Sequence, residues 1–224
     1  MGKPEDFAKE YYKCGADELI YQDTVASLYD RNSLNSIISR TAEDIFIPIT
    51  VGGGIRTIED INRVLRSGAD KVSINTAAVK NVDFVKEASK KFGSQCIVVA
   101  IDAKKVSENK WEVFTHGGRN KTGINALEFA KKIEANGAGE ILLTSMDKDG
   151  TKSGYDVDLL KAISKSTNIP VIASGGVGTL DHFYDGIVKG GASAVLAASI
   201  FHYGEFTIKD TKEYLKSKNI PVRL

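Results

Sequence analysis

The sequence predicts an α/β protein with the (β/α)₈ architecture, a TIM barrel, and three observations lead to this prediction. Short apolar segments alternate with amphipathic helical segments along the 224 residues, which is the pattern of a parallel sheet covered by helices. The length suits one such barrel. The same sequence pattern also occurs twice in order, as in a barrel of two half-barrel repeats. We expect a single domain over 1–224, with half-repeats of about 1–95 and 96–224.

Seven segments have the length and apolar character of buried strands. They are Glu18–Asp23, Ile47–Val51, Lys71–Asn75, Cys96–Asp102, Glu140–Met146, Ile169–Ser174 and Ala194–Ser199. Helical patterns lie between them, such as NSLNSIISRTAED, TIEDINRVLRSG and VDFVKEASKKFG. In the second of these, Thr57 with Asp60 three residues later predicts a capping box, and Gly68 predicts the end of the helix.

The internal repeat indicates which strand the chain lacks. GADELI matches GAGEIL and IPITVGGG matches IPVIASGG, both 122 residues later, while GADKVSINTAA matches GASAVLAAS 123 residues later. The second half has a further strand, CIVVAIDAKK, whose counterpart 122 residues earlier would precede Met1. We therefore expect an N-terminally incomplete barrel, with the first of eight strands absent. The alternative is that another segment, such as the C-terminal IPVRL, takes that place.

Composition and charge narrow the class of protein. Thirty basic and 29 acidic residues nearly balance, so nothing favours a nucleic-acid or anionic-membrane surface. No apolar segment approaches the roughly 18 residues of a membrane span, and the charged start is unlike a secretory signal. Cys14 and Cys96 are too few for a disulfide framework, and we expect buried thiols in a reducing compartment. The expected location is the cytoplasm.

Two glycine-rich turns predict anion binding. VGGGIRT and ASGGVGT follow the second and sixth strands and run into helices. Glycine lets the backbone approach an anion, and a helix N-terminus offers free N–H groups. One strand later, each half places a hydroxyl, Thr76 or Ser199, and Asn75 adds an amide. Each hydroxyl is also suited to cap a helix. The pair of sites predicts a substrate with a phosphate at each end.

Charged residues lie at both ends of the predicted strands. Asp102 ends the strand IVVAID, where barrels of this type carry their chemistry, so it is a candidate general acid or base or, alternatively, a structural hydrogen-bond acceptor. Asp23 and Asp149 are accessory candidates. Three charged residues begin strands and therefore lie at the opposite end: Glu18, Lys71 and Glu140. They form either a salt-bridged plug or a gate at a channel entrance. No spacing of histidines or cysteines predicts a metal site, and no nucleotide or nucleophile motif is present.

The motifs together resemble the cyclase subunit of imidazole glycerol phosphate synthase, the HisF family, from about Gly2 to Leu224. The segments that carry the resemblance are ADELIYQDTVAS, VGGGIRT, GADKVSINTAA, QCIVVAIDAK, GAGEILLTSMDKDGTKSGYD, IPVIASGGVGTLDHF and LAASIFH. The related isomerase family HisA shares the half-barrel repeat and the GGGIR and DGT features, but SINTAA together with AIDAK favours HisF. The resemblance implies a barrel of the ribulose-phosphate-binding type that needs no cofactor.

The resemblance also implies an activity in histidine biosynthesis. Ammonia from a HisH-type glutaminase, the partner in a heterodimer, would react with a bis-phosphorylated ribonucleotide (PRFAR) to give imidazole glycerol phosphate and AICAR. Of the family's two catalytic aspartates, one matches Asp102, and the other belongs to the strand that this sequence lacks. The implied phosphate ligands are Gly54, Asn75 and Thr76 for one phosphate, and Gly150, Gly176 and Ser199 for the other. Glu18, Lys71 and Glu140 match three of four ammonia-gate residues.

One stretch departs from the family pattern. YQDTVASLYDRNSL is closer to HisF-like proteins found with surface-polysaccharide amidotransferases. This departure leaves open an ammonia-channelling partner of a sugar amidotransferase, and the absent first strand leaves open an inactive truncated paralogue.

Overall fold

The computed structural model describes residues 3–23 and 34–224. Its centre is a curled sheet of parallel strands with helices on the outside, so the predicted (β/α)₈ type of fold is confirmed. The strands in chain order are β1 Leu19–Gln22, β2 Ile49–Gly52, β3 Lys71–Ile74, β4 Ile97–Ser107, β5 Lys110–Thr115, β6 Asn120–Asn125, β7 Glu140–Ser145, β8 Val171–Ser174 and β9 Ala194–Val195. The parallel strands lie in the order β1-β2-β3-β4-β7-β8-β9.

Helices alternate with these strands. In the described residues they are α1 Pro4–Lys13, α2 Asn35–Ala42, α3 Ile58–Arg66, α4 Thr76–Lys80, α5 Asp83–Phe92, α6 Ala126–Ala135, α7 Val157–Ser164, α8 Leu180–Val188, α9 Ser199–His202 and α10 Ile208–Ser217. The capping box of α3 is present, because Thr57 Oγ1 accepts from the Asp60 N–H and Asp60 Oδ2 accepts from the Thr57 N–H. Gly68 follows the last turn with a φ of +107°, as predicted.

The core has two parts, one on each side of the sheet. The larger lies between strands and helices, and the smaller fills the barrel interior with Val98, Ala100, Leu142 and Ile172. Ile20 on β1 and Leu196 just after β9 both pack against this interior cluster. The first and last parallel strands therefore face the same interior, which is the curvature of a barrel.

The region between β1 and β9, the first and last parallel strands of the sheet, is called the seam. Contacts outside the sheet join its two sides. The described residues contain no pairing between β1 and β9. Across the seam, Tyr11 on α1 is hydrogen-bonded to His202 on α9. Residues 220–224 form no strand, so the alternative that IPVRL completes the sheet is wrong. Instead, Arg223 donates from Nη2 to the Ala16 carbonyl at 2.8 Å. The absent first strand stays a prediction.

An antiparallel hairpin of β5 and β6 extends the sheet beyond Asp102, where the sequence predicted the end of a strand. β4 continues past Asp102 to Ser107 and pairs with β5, which pairs with β6. At the other end of the sheet, β9 has only two residues. The predicted end at Ser199 is wrong because that residue begins α9.

The structure bears on three further expectations from the sequence. Cys14 is exposed and Cys96 partly exposed, so the expectation of buried thiols is wrong. No helix in the described ranges combines the length and apolar character that a bilayer span requires. Most of YQDTVASLYDRNSL lies outside the described residues, and with it the departure from the family pattern.

Candidate functional site

Asp102 lies on the inner face of β4, near the end where the parallel strands stop. In the sheet it is level with Thr144 on β7 and with Phe114 on β5. Burial raises the pKa of its carboxyl to about 6, and the negative charge of Asp149 contributes to the rise. An ionised carboxylate with this pKa is a stronger base than an exposed one, which suits it to accept a proton at neutral pH.

The two glycine-rich loops adopt similar backbone conformations 122 residues apart. Four glycines have φ values in the left-handed region: Gly53 (+100°), Gly54 (+72°), Gly175 (+89°) and Gly176 (+105°). A Cβ on Gly53 would lie 2.3 Å from the carbonyl oxygen of Asp23, and a Cβ on Gly176 would lie 2.2 Å from that of Gly154. Only glycine fits these positions without a shift of the backbone. Asp23 is thereby placed directly against the first loop.

The predicted hydroxyl residues also occupy equivalent places. Thr76 and Ser199 are the first residues of the short helices α4 and α9. The residues before them share a backbone conformation, with φ −114° and ψ −82° at Asn75 and φ −122° and ψ −72° at Ala198. The N-cap positions are therefore Asn75 and Ala198, and the alternative that the hydroxyls cap these helices is wrong.

Asn75 and Thr76 are hydrogen-bonded to the hairpin beside Asp102. Asn75 Nδ2 donates to the carbonyls of Ala100 at 3.1 Å and Phe114 at 3.2 Å. Thr76 Oγ1 accepts from the backbone N–H of His116 at 3.2 Å. Since Phe114 pairs with Asp102, the residues predicted to bind the first phosphate lie next to the predicted catalytic carboxylate.

The second predicted phosphate site combines two loops. The loop after β7 folds onto the second glycine loop, because the N–H of Gly154 donates to the Gly176 carbonyl at 2.7 Å. Asp149 packs against the same glycine loop: its Cβ lies 3.3 Å from where a Cβ on Gly175 would stand. No atom lies within 4 Å of where a Cβ on the neighbouring Gly150 would stand. Ser199 is exposed at the start of α9, on the β9 side.

The three charged residues at the opposite end of the barrel are in contact. Lys71 Nζ lies 2.6 Å from Glu140 Oε1 and 3.0 Å from Glu18 Oε2. Burial alone would lower the pKa of Lys71, but hydrogen bonds and charges from both glutamates raise it above its ordinary value. Lys71 is therefore a fixed cation between two carboxylates.

The barrel interior between the two ends is mostly apolar and contains one polar atom without a partner. Val98 is level with Glu140, and Ala100 and Leu142 lie between that level and the level of Asp102. The Ser73 hydroxyl is buried there and makes no hydrogen bond within the described residues. Ser73 was not among the residues predicted from the sequence, although it stands two residues after Lys71 and two before Asn75, on the same strand face.

Side chains that the sequence analysis also missed attach the hairpin to the loop after β7. Trp111 Nε1 on β5 donates to Asp156 Oδ2 at 3.2 Å, and Ser145 Oγ lies 3.3 Å from the same oxygen. Asp147 Oδ2 accepts from the N–H of Lys105 on β4 at 2.7 Å. These bonds hold the hairpin over the Asp102 side of the barrel. No group of His, Cys, Asp and Glu in the described part of the chain is arranged to hold a metal ion.

Comparison with known families gives one match over nearly the whole chain. The family model described as "Histidine biosynthesis protein" matches residues 1–207. The match includes both glycine loops, Asp102, and the charged cluster at the opposite end of the barrel.

Proposed function

The chain belongs to the histidine biosynthesis protein family, and within that family we propose that it is the cyclase of imidazole glycerol phosphate synthase. The family comprises isomerases and cyclases of the histidine pathway, so the chain is an enzyme of that group. The proposed reaction converts PRFAR and ammonia into imidazole glycerol phosphate and AICAR.

The observation that favours a cyclase over an isomerase is the apolar character of the barrel interior. An isomerase needs no nitrogen donor, whereas a cyclase of this kind must receive ammonia. Lys71, held between two glutamates, lies at one end of an apolar interior, and Asp102 lies at the other. Uncharged ammonia crosses an apolar layer at much lower cost than ammonium. The unpartnered Ser73 hydroxyl offers a hydrogen bond on the way.

The geometry supports a role for each group at the substrate end. Asp102 accepts a proton from the ammonia nitrogen as that nitrogen bonds to the substrate. It then returns a proton to the AICAR nitrogen as AICAR leaves. Asp149 is the accessory carboxylate, whose charge helps to raise the pKa of Asp102. The backbone N–H groups of the two glycine loops hold the two phosphates, with Thr76 and Ser199 as hydroxyl donors.

The partner in this proposal is a HisH-type glutaminase that binds the end of the barrel with Glu18, Lys71 and Glu140. Ammonia released there enters the interior directly and stays unprotonated. A glutaminase bound at the Asp102 end would block the substrate site instead. The proposal therefore requires that glutamine-dependent turnover, but not turnover with added ammonium, depends on this charged end.

The test is a turnover assay with PRFAR and an ammonium salt. We expect imidazole glycerol phosphate and AICAR as products. Asp102→Asn should lower the rate about 10²–10⁴-fold while PRFAR binding changes little. Asp158→Asn, an exposed carboxylate in the first turn of α7, is the matched control and should keep the full rate. Isomerisation of the PRFAR precursor without cyclisation, or full activity of Asp102→Asn, would contradict the proposal.

A further inference from the structure

An imidazole holds the second glycine loop in place. His182 lies in the first turn of α8, and its Nδ1 accepts hydrogen bonds from the backbone N–H groups of Gly178 at 3.1 Å and Thr179 at 3.2 Å. These two groups belong to ASGGVGT, two and three residues after Gly176. The side chain therefore fixes the direction in which this loop enters the helix.

The first glycine loop uses a carboxylate for the same task. Asp60 stands 122 residues before His182, and its Oδ2 accepts from the backbone N–H groups of Arg56 at 3.1 Å and Thr57 at 3.0 Å. Arg63 Nη1 lies 3.7 Å from the other oxygen of this carboxylate. The two half-barrels thus share the loop attachment but differ in the charge of the group that provides it.

The hydrogen bonds of His182 determine which ring nitrogen carries the proton. A nitrogen that accepts two N–H groups must keep its lone pair, so the proton lies on Nε2 and the ring is neutral. An imidazole in this state fixes the loop without bringing a negative charge close to a bound phosphate.

His182 also contacts the other loop of the proposed second phosphate site. Its Cδ2 and Nε2 lie 3.2 Å and 3.4 Å from where a Cβ on Gly154 would stand. Gly154 in turn donates its N–H to the Gly176 carbonyl. One side chain therefore touches both loops from which the predicted ligands Gly150 and Gly176 come.

We infer that His182 is the positioning residue of the second phosphate site, acting through Nδ1 as a neutral acceptor for the loop N–H groups. The inference rests on the proposed function, in which this loop binds a substrate phosphate. His182 acts on the phosphate through the loop, because it fixes the positions of the loop N–H groups.

Two substitutions separate this role from a general effect on folding. His182→Asn places an amide oxygen close to the position of Nδ1 and keeps an acceptor, whereas His182→Leu keeps the bulk and removes it. His182→Leu leaves two loop N–H groups without their acceptor, so we expect it to raise the KM for PRFAR about 10-fold with a smaller change in kcat. His182→Asn should restore the KM to within about 2-fold of the wild type. Hydrogen exchange at Gly178 and Thr179 should be faster in the Leu variant only.

Binding of inorganic phosphate, followed by ³¹P NMR, distinguishes failure of the inference from failure of the proposed function. A wild-type chain that binds neither phosphate nor PRFAR would show that the proposed function is wrong. If the wild type binds and His182→Leu binds equally well, the inference alone is overturned. Equal loss in the Leu and Asn variants would also overturn it, because the acceptor at Nδ1 would then not be what matters.

Discussion

At the scale of single residues, the raised pKa of Asp102 suits proton transfer but lowers the stability of the fold at neutral pH. Burial and the charge of Asp149 raise its pKa to about 6, against about 3.9 for an aspartate in an unfolded chain. The folded protein therefore binds the proton more tightly than the unfolded chain does. The contribution of Asp102 to stability is therefore largest below about pH 4 and falls as the pH rises through about 6, because the ionised carboxylate is then buried.

Asp102→Asn should accordingly stabilise the fold at pH 8 while it lowers turnover about 10²–10⁴-fold. The difference between a pKa of about 6 in the fold and about 3.9 in the unfolded chain corresponds to roughly 3 kcal/mol, so a gain of about 2–3 kcal/mol in the free energy of unfolding is expected. The gain should shrink towards zero near pH 4. Urea unfolding at pH 8 and pH 4 measures it. Asp149→Asn, which removes only the second cause of the shift, should give a smaller gain, and equal gains at both pH values would contradict the argument.

Lys71 gives the opposite case, a charge whose removal destabilises. Lys71→Met would leave Glu18 and Glu140 facing each other without the cation between them. Breaking a fully buried pair costs about 3–5 kcal/mol, and since Glu18 is partly exposed we expect a loss of about 1–3 kcal/mol in urea unfolding at pH 7. Adding Glu140→Gln should recover part of it. A double variant as unstable as Lys71→Met alone would mean that the loss comes from packing instead.

At the scale of elements, the hairpin β5–β6 depends on a few polar contacts. Asp156 accepts from Trp111 and Ser145 and also caps α7 through the N–H of Leu159. The chain has one tryptophan, and it is buried. Its fluorescence therefore reports on the attachment of the hairpin without any label.

Asp156→Ala should shift the Trp111 emission to longer wavelength and destabilise the fold by about 2–3 kcal/mol, since it removes a cap and leaves the indole N–H without its partner. The control is Thr207→Ala, which removes the cap of α10 at the Asp210 N–H, far from the tryptophan in sequence. That variant should lose about 1 kcal/mol with an unchanged spectrum. An unchanged spectrum in Asp156→Ala would mean that the Asp156 bond does not hold the indole in place.

The hairpin also shows why the sequence predicted some elements and not others. The barrel strands carry runs of apolar residues between glycine-rich turns, a signal that burial on both faces imposes. β5, Lys110–Thr115, has Glu112 between its apolar residues, and β6, Asn120–Asn125, has a single large apolar residue. The pairing of β5 with β4 is supported by tertiary contacts such as the hydrogen bonds from the Asn75 amide to the Ala100 and Phe114 carbonyls. No local pattern in the sequence indicates these contacts.

At the scale of the whole molecule, the repeat made much of the candidate site predictable. A shift of 122 residues pairs Gly53 with Gly175 in the same left-handed conformation, and the same shift pairs Asp60 with His182. The roles of Ser73 and His182 could not be predicted in this way. Both roles depend on which atoms lie nearby in three dimensions. The role of His182 was also hard to predict because the equivalent residue of the first half, Asp60, is of a different type.

At the seam between β1 and β9, the stability of the whole molecule depends on a few side-chain contacts. Asp17, just before β1, accepts from Lys212 Nζ at 2.8 Å and from Arg223 Nε at 2.9 Å. The Lys212 side chain is 9% exposed, so its charge would be nearly buried without a counterion if the carboxylate were removed. Burial alone would raise the pKa of Asp17, but the two hydrogen bonds lower it below its ordinary value.

Asp17→Asn should therefore destabilise the whole chain by about 1–2 kcal/mol at pH 7, because a buried cation without its partner is costly while the exposure of Asp17 limits the effect. A lowered pKa stabilises the fold above the ordinary value near 4 and stops doing so as the pH falls through the lowered pKa. The difference between wild type and variant should thus shrink as the pH falls through the lowered pKa of Asp17. Asp44→Asn, which breaks the exposed pair with Lys9, is the control and should change the free energy of unfolding by less than about 0.5 kcal/mol. Equal effects of the two substitutions in urea unfolding at pH 7 would show that the seam is not held by this contact.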